Sequence, residues 1–281
     1  MKNANELHIL LTNDDGHQAP GIRTLQDALS ARGHRVSLVA PSSERSATGM
    51  STTMHRNLQL QEFAKDSWHL DANPADTVLV ALRHLLEDDP PHLILSGINF
   101  GPNLGVGLHA SGTVGAAITA LLHGFPAIAV SAGMLFEEAR QMPRTFPSTH
   151  KVLEPAAEFT CSVIESLQSS ATTNGGLLPP GILLNINYPA LPREQIRGVV
   201  FPEISAGHMI EPGYRLCDQT EKLIPQYCAG VDPGQPHLEE GDIRAHLEGF
   251  ITISPVKPIW NPPINETDEL LKGLAGTLPG F

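Results

Sequence analysis

Cysteines, basic residues and long apolar runs are all scarce in this 281-residue chain, and each scarcity closes off a class of protein. Its three cysteines, Cys161, Cys217 and Cys228, are odd in number, widely spaced and never in a CxxC pair. That pattern indicates neither a disulfide framework nor a cysteine zinc site, and it suits a reducing compartment. Lysine and arginine number 18 against 30 acidic residues, a formal net charge of -12, which repels nucleic-acid backbones and anionic membrane surfaces. No stretch approaches the roughly 18 apolar residues of a membrane span, and the opening MKNANELHILLT lacks the apolar core of a signal segment. The expectation is a cytoplasmic protein with neither a membrane nor a nucleic-acid polymer as partner. A small phosphorylated ligand stays open, provided that a metal, a helix N-terminus or oriented backbone amides supply the positive charge.

What is present is a folded α/β composition, with 41% hydrophobic and 17% charged residues. Residues 7–12 form an apolar run, and Ile22, Leu25, Ala28 and Leu29 then recur at helical spacing before Gly33. A second apolar run over 35–40 completes a strand–helix–strand unit, which implies a parallel sheet. Asn73-Pro74-Ala75-Asp76 offers an N-cap, a proline at the first helical position and an acid in the first turn. A strand over 92–96, a small-residue helix over 112–123 and a strand over 127–131 follow. Further on, the periodicity predicts a helix near 153–167, a strand over 182–188 and a regular stretch over 243–254. The expected fold is a doubly wound, Rossmann-like α/β domain with a mainly parallel sheet. It spans 1–281 as one domain, with 1–200 as core and 202–281 as a hairpin and oligomerisation arm.

In such sheets ligands sit beyond the carboxyl ends of the strands. Asp14 and Asp15 follow the first strand, where a turn brings together two carboxylates that a regular strand would point to opposite faces. Either an Asx-type turn or a bound cation explains the pair. Ser46 and Asn99, from two other loops, add neutral oxygens, an all-oxygen set that suits Mg²⁺, Mn²⁺ or Ca²⁺ better than Zn²⁺. Ser111-Gly112-Thr113 opens a helix whose free amides and hydroxyls either cap it or cradle a phosphate. The glycine-rich Gly101–Gly107 stretch, with Asn103 inside it, permits close backbone approach and lacks the lysine of a Walker loop. His17, His55, His109 and His123 are scattered, and Cys161 sits on a predicted helix face as a core residue.

Taken together, LHILLTNDDG, APSSERSATG, NPADTVLVAL, LILSGINFGPNLG, SGTVGAAITALLHGFPAIAVS and LLNINYPALP, in this order, resemble the SurE family of survival-protein nucleotidases over roughly residues 7–200. The C-terminal GFITISPV is similar more weakly. The resemblance implies a 5′-nucleotidase, a phosphoric monoester hydrolase acting on nucleoside 5′- and 3′-monophosphates and, in some members, on short polyphosphate. It implies one divalent metal ion per subunit on Asp14, Asp15, Ser46 and Asn99, with Asp14 or Asp15 also serving as base or nucleophile. Phosphate contacts would come from Asn103, Ser111, Gly112 and Thr113. It further implies a homodimer or homotetramer that exchanges C-terminal arms. The sequence departs from the family pattern at Met50, Asn73, Phe100 and Gly107, none of them a proposed metal ligand. Two rivals are a receiver-like module, weakened by the absence of an aspartate in Ser96-Gly97-Ile98-Asn99, and a nucleotide-binding member without turnover.

Overall fold

The run of apolar residues that opens the fold becomes β1 (His8–Thr12), buried at every position, as a central parallel strand requires. In the computed structural model, residues 6–139, 146–174, 176–217, 222–229 and 241–258 are described. Helix α1 (Pro20–Ala31) starts with proline, whose missing N–H falls where the helix has no acceptor, and it buries Ile22, Leu25 and Leu29 on one stripe. Each of these side chains contributes about 2 kcal/mol by leaving water. β2 (Arg35–Pro41) then runs parallel to β1, with Leu11 opposite Leu38.

Two short strands follow, β3 (Leu60–Ala64) and β4 (Ser67–Leu70), the latter parallel to β2 and the former antiparallel at the sheet edge. α2 (Pro74–Val80) begins where expected, the Asp76 carboxylate accepting the Asn73 N–H at 3.0 Å, and ends in a π-helical turn over Ala81–Leu85. β5 (Leu93–Phe100) is longer than its apolar run. It continues through a register shift between Ser96 and Asn99. After a 3₁₀ turn (Val106–His109) come α3 (Gly112–Leu122), β6 (Ala127–Ala132), α4 (Phe136–Ala139), α5 (Pro147–Asn174) and β7 (Leu183–Tyr188). α5 runs through Pro155, longer at both ends than the periodicity indicates. Its Val152, Leu153, Ala156, Ala157, Cys161 and Ile164 are buried in one cluster with α1, and this packing offsets the hydrogen bond that proline removes.

The C-terminal part supplies β8 (Val199–Val200), the hairpin β9 (Ile210–Leu216) and β10 (Leu223–Ala229), α6 (Asp242–Leu247) and β11 (Ile251–Val256). The stretch read as one regular element over 243–254 is therefore a helix and a strand, divided at Gly249 with φ +88°. The main sheet has nine strands in the order β3-β4-β2-β1-β5-β6-β7-β11-β8, parallel from β4 to β7, with β11 antiparallel to β7. Segments beyond residue 200 thus help complete the sheet, and the hairpin stands apart from it. The tail after Lys257 and Pro258 lies outside the described residues. α1 and α5 bury one face of the sheet, α2 and α3 the other. From β1 the chain builds first toward β2 and then toward β5, so the topological switch point lies between β1 and β5. No helix among the described residues is long and apolar enough to cross a membrane.

Candidate active site

At that switch point the chain turns sharply. The Thr12 and Thr77 hydroxyls share a 2.7 Å hydrogen bond, and Asn13 Nδ2 donates to the Gly16 carbonyl at 2.9 Å, closing a loop around Asp14 and Asp15. Gly16 takes φ +99°, a conformation that side chains rarely adopt. The strand's alternation stops here, and the two acidic neighbours lie close enough that the charge of Asp14 is felt by Asp15.

Asp14 is 3% exposed and held from three sides. The Thr113 hydroxyl donates to its Oδ1 at 2.5 Å, and the Arg45 N–H donates to its backbone carbonyl at 2.6 Å. Gly112 lies so close that a Cβ there would meet Asp14 Cβ at 2.8 Å and Oδ2 at 2.9 Å. Asp15 Oδ2 accepts the Phe100 N–H at 3.1 Å. Burial pushes both carboxyls above the usual carboxylate range; the charge of Asp14 raises Asp15 further, and the Thr113 hydroxyl works the other way on Asp14. Neither aspartate has a lysine or arginine partner among the described ion pairs.

The other candidate residues ring this pair in different ways. Ser46 is exposed and donates to Glu44 Oε1 at 2.8 Å, while Glu44 adds negative charge to both aspartates. The Arg45 guanidinium turns away to Asp71, so only its backbone serves the acidic turn. Asn99, near the end of β5, donates its Nδ2 to the Gly101 carbonyl at 2.7 Å, which leaves the amide oxygen as its free acceptor end. Ser111 Oγ caps α3 by accepting the Val114 N–H at 3.1 Å and retains its own proton for a further acceptor. Asn103 Nδ2 donates to Ser131 Oγ at 2.9 Å, and the Thr113 hydroxyl is bound to Asp14. Two expected phosphate donors therefore have partners within the protein.

His17, just past the turn, is buried, donates its backbone N–H to the Pro41 carbonyl at 2.9 Å and stacks on His69 at 4.3 Å. Sequence reasoning missed Glu44, and it missed Asn185 and Asn187, both fully buried beside the Gly101–Gly107 loop. The signal for the last two was available: asparagines two apart in LLNINY share one face of a strand that is otherwise apolar.

The model of the family described as "Survival protein SurE" matches residues 9–211. A protein of Carboxydothermus hydrogenoformans named 5′-nucleotidase SurE is 40% identical over 280 residues, covering 97% of this chain and 99% of that protein. Another of that name, from Thermosynechococcus vestitus, is 34% identical over 259 residues, covering 89% and 90%. The crystal structure of the SurE protein from Aquifex aeolicus superposes with a TM-score of 0.75 at 29% identity, covering 95% of this chain and 99% of that one. The acidic turn, the Glu44–Ser46 loop, Asn99 and the start of α3 all lie inside the matched span, and the chain belongs to the SurE family of 5′-nucleotidase enzymes.

Proposed function

We propose that this chain is a divalent-cation-dependent phosphomonoesterase that releases phosphate from nucleoside 5′-monophosphates, and from 3′-monophosphates at the same site. One observation carries the reading. Asp14, buried, and Asp15, half-buried, sit side by side at the switch point with no lysine or arginine ion-pair partner among the described residues, an arrangement whose like-charge repulsion a cation would relieve. The donors around it are all oxygens, from Asp14, Asp15, Ser46 and the free end of Asn99, and they fit Mg²⁺ or Mn²⁺, or Ca²⁺ with a looser shell. Such a cation supplies the Lewis acidity that draws charge from a phosphoryl group as its P–O bond breaks.

The chain's own residues do the rest. Thr113 and the Arg45 amide fix Asp14 in place, which makes it a holder rather than a mobile base. Asp15, with one described hydrogen bond, is left freer than Asp14 to take a proton from an attacking water. The Ser111 hydroxyl and the N-terminal end of α3 face the phosphoryl oxygens and favour their negative charge. That the relatives from Carboxydothermus hydrogenoformans and Thermosynechococcus vestitus are named 5′-nucleotidases supports the 5′ position.

The exposed apolar residues of β9 and β10 support association of like copies, as a homodimer or homotetramer, in the cytoplasm. Release of phosphate from AMP, 3′-AMP and tripolyphosphate, with Mg²⁺, with Mn²⁺ and after exhaustive chelation, tests the activity. Turnover that survives chelation overturns the cation reading.

A further inference from the structure

The Gly101–Gly107 loop joins β5 to the start of α3, and it is fastened at two points by residues that no phosphate contact explains. At the first, Asn103 is hydrogen-bonded through backbone and side chain alike. Its N–H donates to Asn187 Oδ1 at 2.8 Å, and its carbonyl accepts from Asn187 Nδ2 at 3.1 Å and Asn185 Nδ2 at 2.8 Å. Its side chain reaches Ser131. At the second, the Gly105 N–H donates to both carboxylate oxygens of Asp242, at 3.0 and 3.2 Å, and the Ser205 N–H donates to Oδ1 at 2.9 Å. Gly105 has no room for a side chain, because a Cβ would lie 2.2 Å from the Gly207 carbonyl.

Ser131, Asn185, Asn187 and Asp242 are all 0% exposed. A parallel sheet fills such places with apolar side chains, and a buried carboxylate without a basic partner opposes folding unless peptide N–H groups satisfy it. Asp242 has those N–H partners and no ion pair among the described residues. Its α6 lies beyond residue 211, where the family match ends. What the fastening protects is downstream: the Ala110 carbonyl accepts the Gly49 N–H at 3.0 Å, and Gly112 and Thr113 then meet Asp14. A loop that slips carries these contacts with it.

We propose that Asp242, together with Asn187, is a positioning residue of the active site: the C-terminal segment fixes the register of the Gly101–Gly107 loop and, through it, the place of Thr113 against Asp14. The inference rests on the phosphatase reading of the Asp14–Asp15 site, and part of its test does not. Asp242→Asn preserves shape but turns a donor toward peptide N–H groups. Amide exchange in peptides covering 101–113, followed without any metal, rises at least tenfold in the variant, while β1 and β6 peptides keep the wild-type rate. Well below the melting temperature, kcat/KM for AMP falls on the order of 10²-fold, with a raised KM and weaker inhibition by inorganic phosphate. Asn187→Ser does the same, and the double variant loses less than the sum of the two, since both hold one loop.

If Asp242→Asn does not fold, Asn187→Ser decides the matter by the same measurements. A variant that melts earlier yet keeps wild-type loop exchange, KM and phosphate inhibition overturns the proposal, because that is what a merely structural residue does. A wild-type enzyme without phosphatase turnover defeats the functional reading instead, and the exchange data still judge the clamp.

Discussion

The acidic turn and the β9–β10 hairpin are opposite solutions to building a loop. The turn over residues 12–16 is tied to residues 77, 100 and 113, far away in sequence, and Thr12, Asn13 and Asp14 are buried in it. The hairpin pairs with itself and with no other strand among the described residues, while Tyr214, Leu216, Leu223 and Ile224 are 67%, 54%, 65% and 37% exposed. A two-stranded ribbon with apolar side chains in water is marginal by itself. The difference teaches where the chain places its stability: the site is over-determined at some energetic cost, and the hairpin is left to be completed by another surface.

The strongest way to break this contrast is at the turn. Replacing Asp15 by Asn should lower phosphatase turnover by about 10³-fold or more, because the pair would lose a charge that the proposed cation needs. Stability should move the other way without metal. Burial and Asp14 raise the folded affinity of Asp15 for a proton, so metal-free stability falls as pH climbs from the ordinary carboxylate range through the raised folded value. Asn has no such titration, and at pH 7.5 the chelated variant should melt at or above wild type. The stabilisation expected from Mn²⁺ on the proposed reading, about 2.7 kcal/mol for wild type at a hundredfold excess over Kd, should shrink in the variant. Melting curves with chelator and with Mn²⁺, beside turnover assays, decide it.

Gly112→Ala tests the same packing by volume. The new methyl meets Asp14 Cβ at 2.8 Å, so kcat/KM should fall by about 10²-fold, and stability should fall with it. Gly107→Ala meets nothing within 4 Å and should shift stability by less than about 0.5 kcal/mol. Urea titrations of the two variants settle whether close approach, rather than glycine as such, matters.

A smaller effect is expected away from the site. His246 of α6 is buried, and burial pushes its pKa down to about 4 from the ordinary 6.5. The unfolded chain therefore takes the proton first. The contribution is complete above about 6.5 and is lost as pH falls toward 4, up to about 3 kcal/mol. Substitution by Leu should flatten the pH dependence of the urea midpoint between pH 7.5 and 5. A small change in folding stability is also predicted at the hairpin: Tyr214→Ser with Leu223→Ser should alter it by less than about 1 kcal/mol while lowering the oligomer fraction in sedimentation. An unchanged assembly would detach the exposed face from any partner.

Much of this was legible in advance. Residues 7–12, 35–40 and 127–131 are apolar runs that read as buried strands, and the spacing of Ile22, Leu25, Ala28 and Leu29, the Asn73-Pro74 cap and the small-residue run from Gly112 mark helices by local chemistry that tertiary structure had no reason to override. The acidic pair was legible as a site because two adjacent carboxylates after a buried strand need an explanation. What the sequence hid was set by distance. β3 and β4 are short and polar enough that only the neighbouring β2 makes them strands. The helix expected near 153–167 runs further at both ends, over Pro147–Asn174, because packing on α1 sustains it through Pro155. The partner of Gly105 is Asp242, 137 residues away, and no local pattern announces such a pairing.

Glu44 carries one more implication. It shares a hydrogen bond with Ser46 and sets its charge against both aspartates, in a protein whose net charge is already -12. On the proposed cation-dependent reading this accumulation of acidic groups implies an order of arrival, cation first and nucleotide second, and nucleotide in excess over free cation would slow turnover by withholding the first arrival. The same field hastens the exit of phosphate, and added salt, by screening it, should make product inhibition tighter rather than weaker.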